Sequence, residues 1–209
     1  MRLVFLALSL LSVGCVFTRE WESRFAREFR LSEIHAYTPR HKIPVRFPSW
    51  MDDKDKPNVL DAVDAYCDLV CELDPWARDN FPFREHTVWI HDKVGAFVVG
   101  EHPEKALWAK GWAIGAVCVV SWTFEMDSIG RPVGVGEEDP LPALVHEWYH
   151  HIFDMRYGWA DPGHSVHFPF SSLVLLKCRL NAPRVVLSVK SMLAALRYRY
   201  VPWVIPRTG

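Results

Sequence analysis

The sequence predicts an α+β fold in which a small antiparallel or mixed sheet packs on one long helix over residues 140–157. Three observations carry that expectation. Residues 57–73 and 141–155 repeat apolar side chains at helical spacing, residues 87–91 and 116–122 are rich in β-branched and aromatic side chains, and Pro and Gly punctuate the intervals. Half of the 209 residues are hydrophobic and the formal net charge is −1, so there is material for one real core. No nucleic-acid partner is expected from so neutral a balance.

The first fourteen residues have the layout of an export signal. Met1-Arg2 is a short positive region and residues 3–13 are an almost unbroken apolar run. That run is too short for a bilayer core, which needs about 20 apolar residues. It ends in Leu11-Ser12-Val13-Gly14-Cys15, which resembles the bacterial lipobox, in which a cysteine after a small residue becomes the lipidated first residue. Ser12 stands where lipoboxes usually place Leu. The expected product is secreted, or is a lipoprotein of a bacterial cell envelope tethered to its membrane through Cys15. Residues 15–56, with Pro39, Pro44 and Pro48 and few periodic apolar positions, read as a tether and an irregular N-terminal arm.

A compact domain is expected over residues 57–168. Pro57 suits a first helical turn, after which Val59, Leu60, Val63, Tyr66, Cys67, Val70 and Leu73 form a stripe. Asp61, Asp64, Asp68 and Glu72 are expected to face outward, and Pro75 stops the helix. Cys67 and Cys71, one turn apart on that stripe, are read as small buried hydrophobes; with Cys118 and Cys178 they do not space like a disulfide framework. A strand is expected at 87–91, a loop-rich stretch with room for a short strand at 95–111, a strand segment at 112–124 and a Gly- and acid-rich loop at 126–139. Asp139 and Pro140 then start a helix that Gly158 ends. Its core stripe is Leu141, Leu144, Val145, Trp148, Ile152 and Met155, while His146, His150 and Tyr157 project from another side.

Residues 146–150 of that helix read His-Glu-Trp-Tyr-His. Histidines four apart lie one turn above each other on the same face, so His146 and His150 can reach one metal ion. Glu147 is placed to act as a base toward water held by that metal. A catalytic zinc normally takes three protein ligands. No Glu follows Glu147, and the downstream His-x-x-Gly-x-x-His spacing of metzincins is absent, which leaves Asp154, Asp161, His164 and His167 as third donors. His164 is preferred, because Trp159-Ala160-Asp161-Pro162-Gly163-His164 is a turn-forming loop able to fold back on the helix end.

The run His146-Glu147-Trp148-Tyr149-His150-His151, then Arg156-Tyr157-Gly158-Trp159, then Pro162-Gly163-His164, resembles the zinc peptidase core of compact gluzincin-like and SprT-like proteins. The resemblance implies a small zincin-like domain with Zn2+ held by His146, His150 and His164, Glu147 as catalytic residue, and a peptide or protein substrate. It also implies a cleft lined by an edge strand, for which residues 112–124 are the candidate. SprT-like proteins are intracellular and often carry a cysteine zinc ribbon, whereas this chain has the layout of an export signal and no ribbon, so a DNA-linked role is not carried over. The function expected is a zinc metallopeptidase of the envelope; the alternative is a non-catalytic zinc-binding or structural lipoprotein that retains the peptidase fold. For oxyanion stabilisation Tyr149, His151, Tyr157 and His167 are available, with Tyr149 and Tyr157 read first as packing residues and His151 as a surface residue.

Residues 169–209 form a basic helical extension. After Asp161 there is no acid, and Lys177, Arg179, Arg184, Lys190, Arg197, Arg199 and Arg207 place seven positive charges in the last 48 residues. The first 161 residues hold the other 17 basic residues against all 25 acidic ones, a net −8, so the tail is expected to dock on an acidic body. Residues 185–200 read as an amphipathic cationic helix with Val186, Val189, Leu193 and Leu196 on one side, expected to cover the helix at 140–157, the alternative being to lie on a membrane surface.

Overall fold

The structure, a computed structural model, describes residues 27, 29, 33–92, 97–99, 107–109, 111–122, 125–126, 132–134, 141–159, 176–177, 180–181, 185–195 and 197. In chain order its elements are β1 (Ala36–Tyr37), β2 (Pro44–Arg46), α1 (Lys56–Leu73), α2 (Pro75–Asn80), a 3-10 turn (Phe83–Glu85), β3 (Thr87–Ile90), β4 (Phe97–Val99), β5 (Leu107–Ala109), β6 (Gly111–Ile114), β7 (Val117–Val120), β8 (Glu125–Met126), β9 (Pro132–Gly134), α3 (Leu141–Tyr157) and α4 (Val189–Ala195). The fold is mixed α and β, as the sequence predicts.

The main sheet has the order β1-β2-β3-β7-β6. Its three central strands β2, β3 and β7 run parallel, and the edges β1 and β6 run antiparallel to their neighbours. Two small antiparallel pairs, β4 with β5 and β8 with β9, stand outside it. Helices α1 and α3 share one core with the sheet: Val45, Val88, Ile90, Cys118 and Val120 meet Val59, Val63, Tyr66 and Val70 of α1 and Leu144, Val145, Trp148 and Ile152 of α3. At roughly 1.5–3 kcal/mol per fully buried aliphatic side chain, those α3 positions fix the helix firmly enough to hold polar groups on its flank. Gly158 ends α3 at φ +69°, with its N–H on the Asp154 carbonyl, as its position after the periodic stripe predicts.

Several expectations are corrected. Residues 15–56 are not irregular throughout, because β1 and β2 belong to the main sheet and the folded unit begins upstream of residue 57. The arm is held by Arg46, whose guanidinium lies 4.1 Å from the Phe29 ring and 5.4 Å from that of Trp89 and donates to the carbonyls of Phe29 and Glu33. Strands of two or three residues are too short for alternation to register. Asp64 does not face outward. It is buried and accepts the N–H groups of Arg40 and His41 at 2.7 and 3.1 Å, while Asp68 binds the side chains of the same two residues. The segment 112–124 holds the edge only in its first part: β6, which begins at Gly111, is the edge, and after the turn at Gly115, φ +55°, the strongest strand, β7, is interior.

On α3 the core stripe takes Tyr149 and Phe153 instead of Met155, which is half exposed because the last turn, from Asp154 onward, lies at the surface. The basic tail does meet acidic residues. Ser188 donates its N–H and hydroxyl to Asp55, and Lys190 lies 2.5 Å from Asp52. Helix α4 starts at Val189 rather than 185: residues 185–188 form no regular element, and Ser188 is bound to Asp55.

Candidate metal centre

The centre is built on the flank of α3. Trp148 is fully buried and packs edge-on against Phe83 at 5.1 Å between ring centroids. Tyr149 is buried too, and its hydroxyl donates to Asp74 at 3.2 Å. Asp74 also accepts the N–H groups of Trp76 and Ala77 at the start of α2, so one buried carboxylate caps α2 and fixes the rotation of α3. With that side pinned, the other side of the same turns carries His146, Glu147 and His150.

The Nε2 atoms of His146 and His150 lie 3.2 Å apart, with the two rings nearly perpendicular. Two imine nitrogens that close repel unless a proton or a cation lies between them. Donors set tetrahedrally about 2.0 Å from a zinc ion are about 3.3 Å from each other, so the pair has the bite that zinc requires. His146 is partly exposed and His150 is buried, which leaves an approach from the His146 side.

Glu147 is buried between α3 and the edge strand. A Cβ built on Gly111 would stand 2.7 Å from Oε1 and 3.0 Å from Cγ of Glu147, so the carboxylate occupies the space that a side chain at 111 would fill. The register Gly111↔Val120 and Ala113↔Cys118 puts β6 beside the interior of the sheet, where the Cys118 thiol is pushed up by burial and then by the charge of Glu147. Burial likewise holds the Glu147 carboxyl well above the usual carboxylate range. A buried carboxyl with raised proton affinity thus stands on the same helix as two convergent imidazoles.

The remaining expectations divide. His164, with Asp161 and His167, lies outside the described residues, as do Cys15 and Cys178. Asp154 is exposed. Among the described residues no group of three or more His, Cys, Asp or Glu gathers at one point, so the described part of the centre is the His146 and His150 pair. His151 is not a surface residue. Its Nε2 is buried without a hydrogen-bond partner, its ring lies 4.8 Å from that of His86, and burial followed by the charge of His86 lowers its pKa to about 4. Tyr149 packs as expected, whereas Tyr157 is exposed, its ring 5.3 Å from the Phe153 ring and 5.3 Å from the Arg156 guanidinium.

The sequence reading placed Gly111 in a loop and gave Cys118 no role. A glycine immediately before an apolar strand was the available signal, since it marks a place where something approaches the backbone closely. No protein-family model matches this chain, and no curated protein and no solved structure matches it either. The case for a function therefore rests on the chemistry of these side chains.

Proposed function

We propose that this protein is a zinc-dependent metallopeptidase with a zincin-like active site. The observation that carries the reading is the 3.2 Å approach of the His146 and His150 Nε2 atoms, one helical turn apart, with Glu147 held against Gly111 beside them. His146 and His150 would hold the ion, and His164, from the loop after the helix, is proposed as the third ligand. Bound zinc would supply a Lewis acid that brings the pKa of water toward neutrality and polarises a peptide carbonyl.

The chain's own residues do the rest. Glu147 takes the proton of the attacking water and returns it to the departing amine, and its buried position suits a base that must both accept and release a proton near neutral pH. Gly111 leaves that carboxylate room to stay on the inner side of β6. The antiparallel edge of β6 is the proposed support for an extended peptide, bound by main-chain hydrogen bonds. The export-signal layout and Cys15 support an envelope address, secreted or lipid-anchored.

The test is Glu147→Gln against the unaltered protein, each assayed for bound zinc and for cleavage of a peptide library. The proposal expects zinc in both and cleavage only in the unaltered protein. Stoichiometric zinc without cleavage of any peptide would make the protein a non-catalytic zinc binder of the envelope, and absence of bound metal would remove the metal centre altogether.

A further inference from the structure

The C-terminal segment presents a surface that the metal centre does not use. Among the described residues, Leu176, Leu180, Val186, Val189 and Leu193 are all more than half exposed, and Val186 reaches 75%. They make up half of the exposed large hydrophobics among the described residues, concentrated on the acid-free last 48 residues of the chain. The segment is not loose. Val185, Leu187, Ser191 and Ala195 are buried, and Ser188, Ser191 and Lys190 are tied to Asp55 and Asp52.

With this side fixed, the outer side of α4 is defined. At 100° per residue, Val189 and Leu193 lie about 40° apart, opposite the buried Ser191 and Ala195, and Arg197 beyond the helix is exposed. Lys190, Ala194 and Arg197 also line a cleft of about 410 Å³ with Ser49, Trp50 and Asp52. None of the residues of the metal centre lines it.

We infer that this face of the C-terminal segment docks on a bilayer surface containing anionic phospholipid. Val186, Val189 and Leu193, with Leu176 and Leu180, enter the boundary between headgroups and acyl chains, and Arg197 and Lys177, both exposed, meet the phosphates. Exposed aliphatic side chains beside Lys and Arg are the composition of an interfacial segment. Charge selects the occupant: seven cations without an acid in 48 residues complement an anionic surface, and would repel the same face of a second copy. No helix among the described residues is long and apolar enough to cross a membrane, so the contact would lie along the surface. The inference stands apart from the peptidase reading.

The test is co-sedimentation of the full chain with vesicles of phosphatidylcholine alone and of phosphatidylcholine mixed with phosphatidylglycerol. Binding to the anionic vesicles is expected to be at least about tenfold tighter. Val189→Ser with Leu193→Ser, and separately Arg197→Glu, should each lower it by about tenfold while circular dichroism stays unchanged. The anionic-to-neutral ratio, compared between the unaltered chain and each variant with the same N-terminus, is the readout, and Cys15→Ser should leave that ratio unchanged. Equal binding to both vesicles would overturn the inference. So would full binding by both variants, or a dimer in solution that the Val189→Ser, Leu193→Ser variant dissociates.

Discussion

Helices α1 and α3 pack on the same face of the same sheet, and each buries one carboxylate, Asp64 on α1 and Glu147 on α3. Asp64 accepts two backbone N–H groups from the turn between β1 and β2, and its role ends in holding that turn on the helix. Glu147 faces the bare backbone of Gly111, and burial alone is the cause of its raised proton affinity. A buried carboxylate that is fully bonded is a structural joint, while one left desolvated on the same helix as two convergent imidazoles costs stability and is a candidate for chemistry. The difference between the helices separates architecture from candidate chemistry.

Four measurements break or sharpen that contrast. The largest effect is expected for Glu147→Gln, which should lower peptide cleavage at least about a thousandfold while leaving the melting temperature of the metal-free protein unchanged or raised, since a neutral isostere no longer has to be desolvated. A clear loss of stability in that variant would make Glu147 a structural joint like Asp64.

The second concerns pH. His151 is neutral in the fold, with its pKa brought from 6.5 to about 4, so between these values the unfolded chain binds more protons than the folded one. The contribution is complete above about pH 6.5 and is lost as the pH falls through about 4, a total of about 3 kcal/mol at most. Urea unfolding of the metal-free protein at pH 7, 5.5 and 4 should show the decline, and His151→Leu should flatten it. A stability independent of pH over that range would place His151 in solvent.

Next, Asp64→Ala should cost about 2–3 kcal/mol in urea unfolding, because the Arg40 and His41 N–H groups lose their acceptor, with little change in cleavage once the protein is folded. A selective loss of activity at full stability would erase the distinction between the helices. The smallest effect is expected for Gly111→Ala. Its methyl group displaces the Glu147 carboxylate by a few tenths of an ångström or more, so kcat should fall by about tenfold while zinc affinity, held by His146 and His150, stays within a factor of about two. An equal fall in zinc affinity would mean that β6 supports the imidazoles instead.

Much of α3 was legible in the sequence because everything that defines it is local: a 3.6-residue stripe, a terminating glycine and two histidines one turn apart. The strands were less legible. The parallel pairs β2 with β3 and β3 with β7 join distant residues, and strands of two to four residues show too little alternation to reveal which is interior and which is an edge. Periodicity put Asp64 outside the apolar stripe of α1, but the turn at residues 39–42 folds over that side and buries it. His151 escaped for the same reason, since His86 reaches it from the turn before β3.

The sequence by itself determined that a helix would present His146, Glu147 and His150 together, and that the acid-free C-terminal segment would meet acidic residues. These follow from helical geometry and from charge, which need no knowledge of the rest of the chain. Tertiary structure alone decided that Asp74 and Tyr149 pin one side of α3, that Gly111 makes room for Glu147 on the other, and that Asp52 and Asp55 are the acids that hold the C-terminal segment. Such contacts form between residues far apart in sequence, and their energies depend on which groups the closed core removes from water.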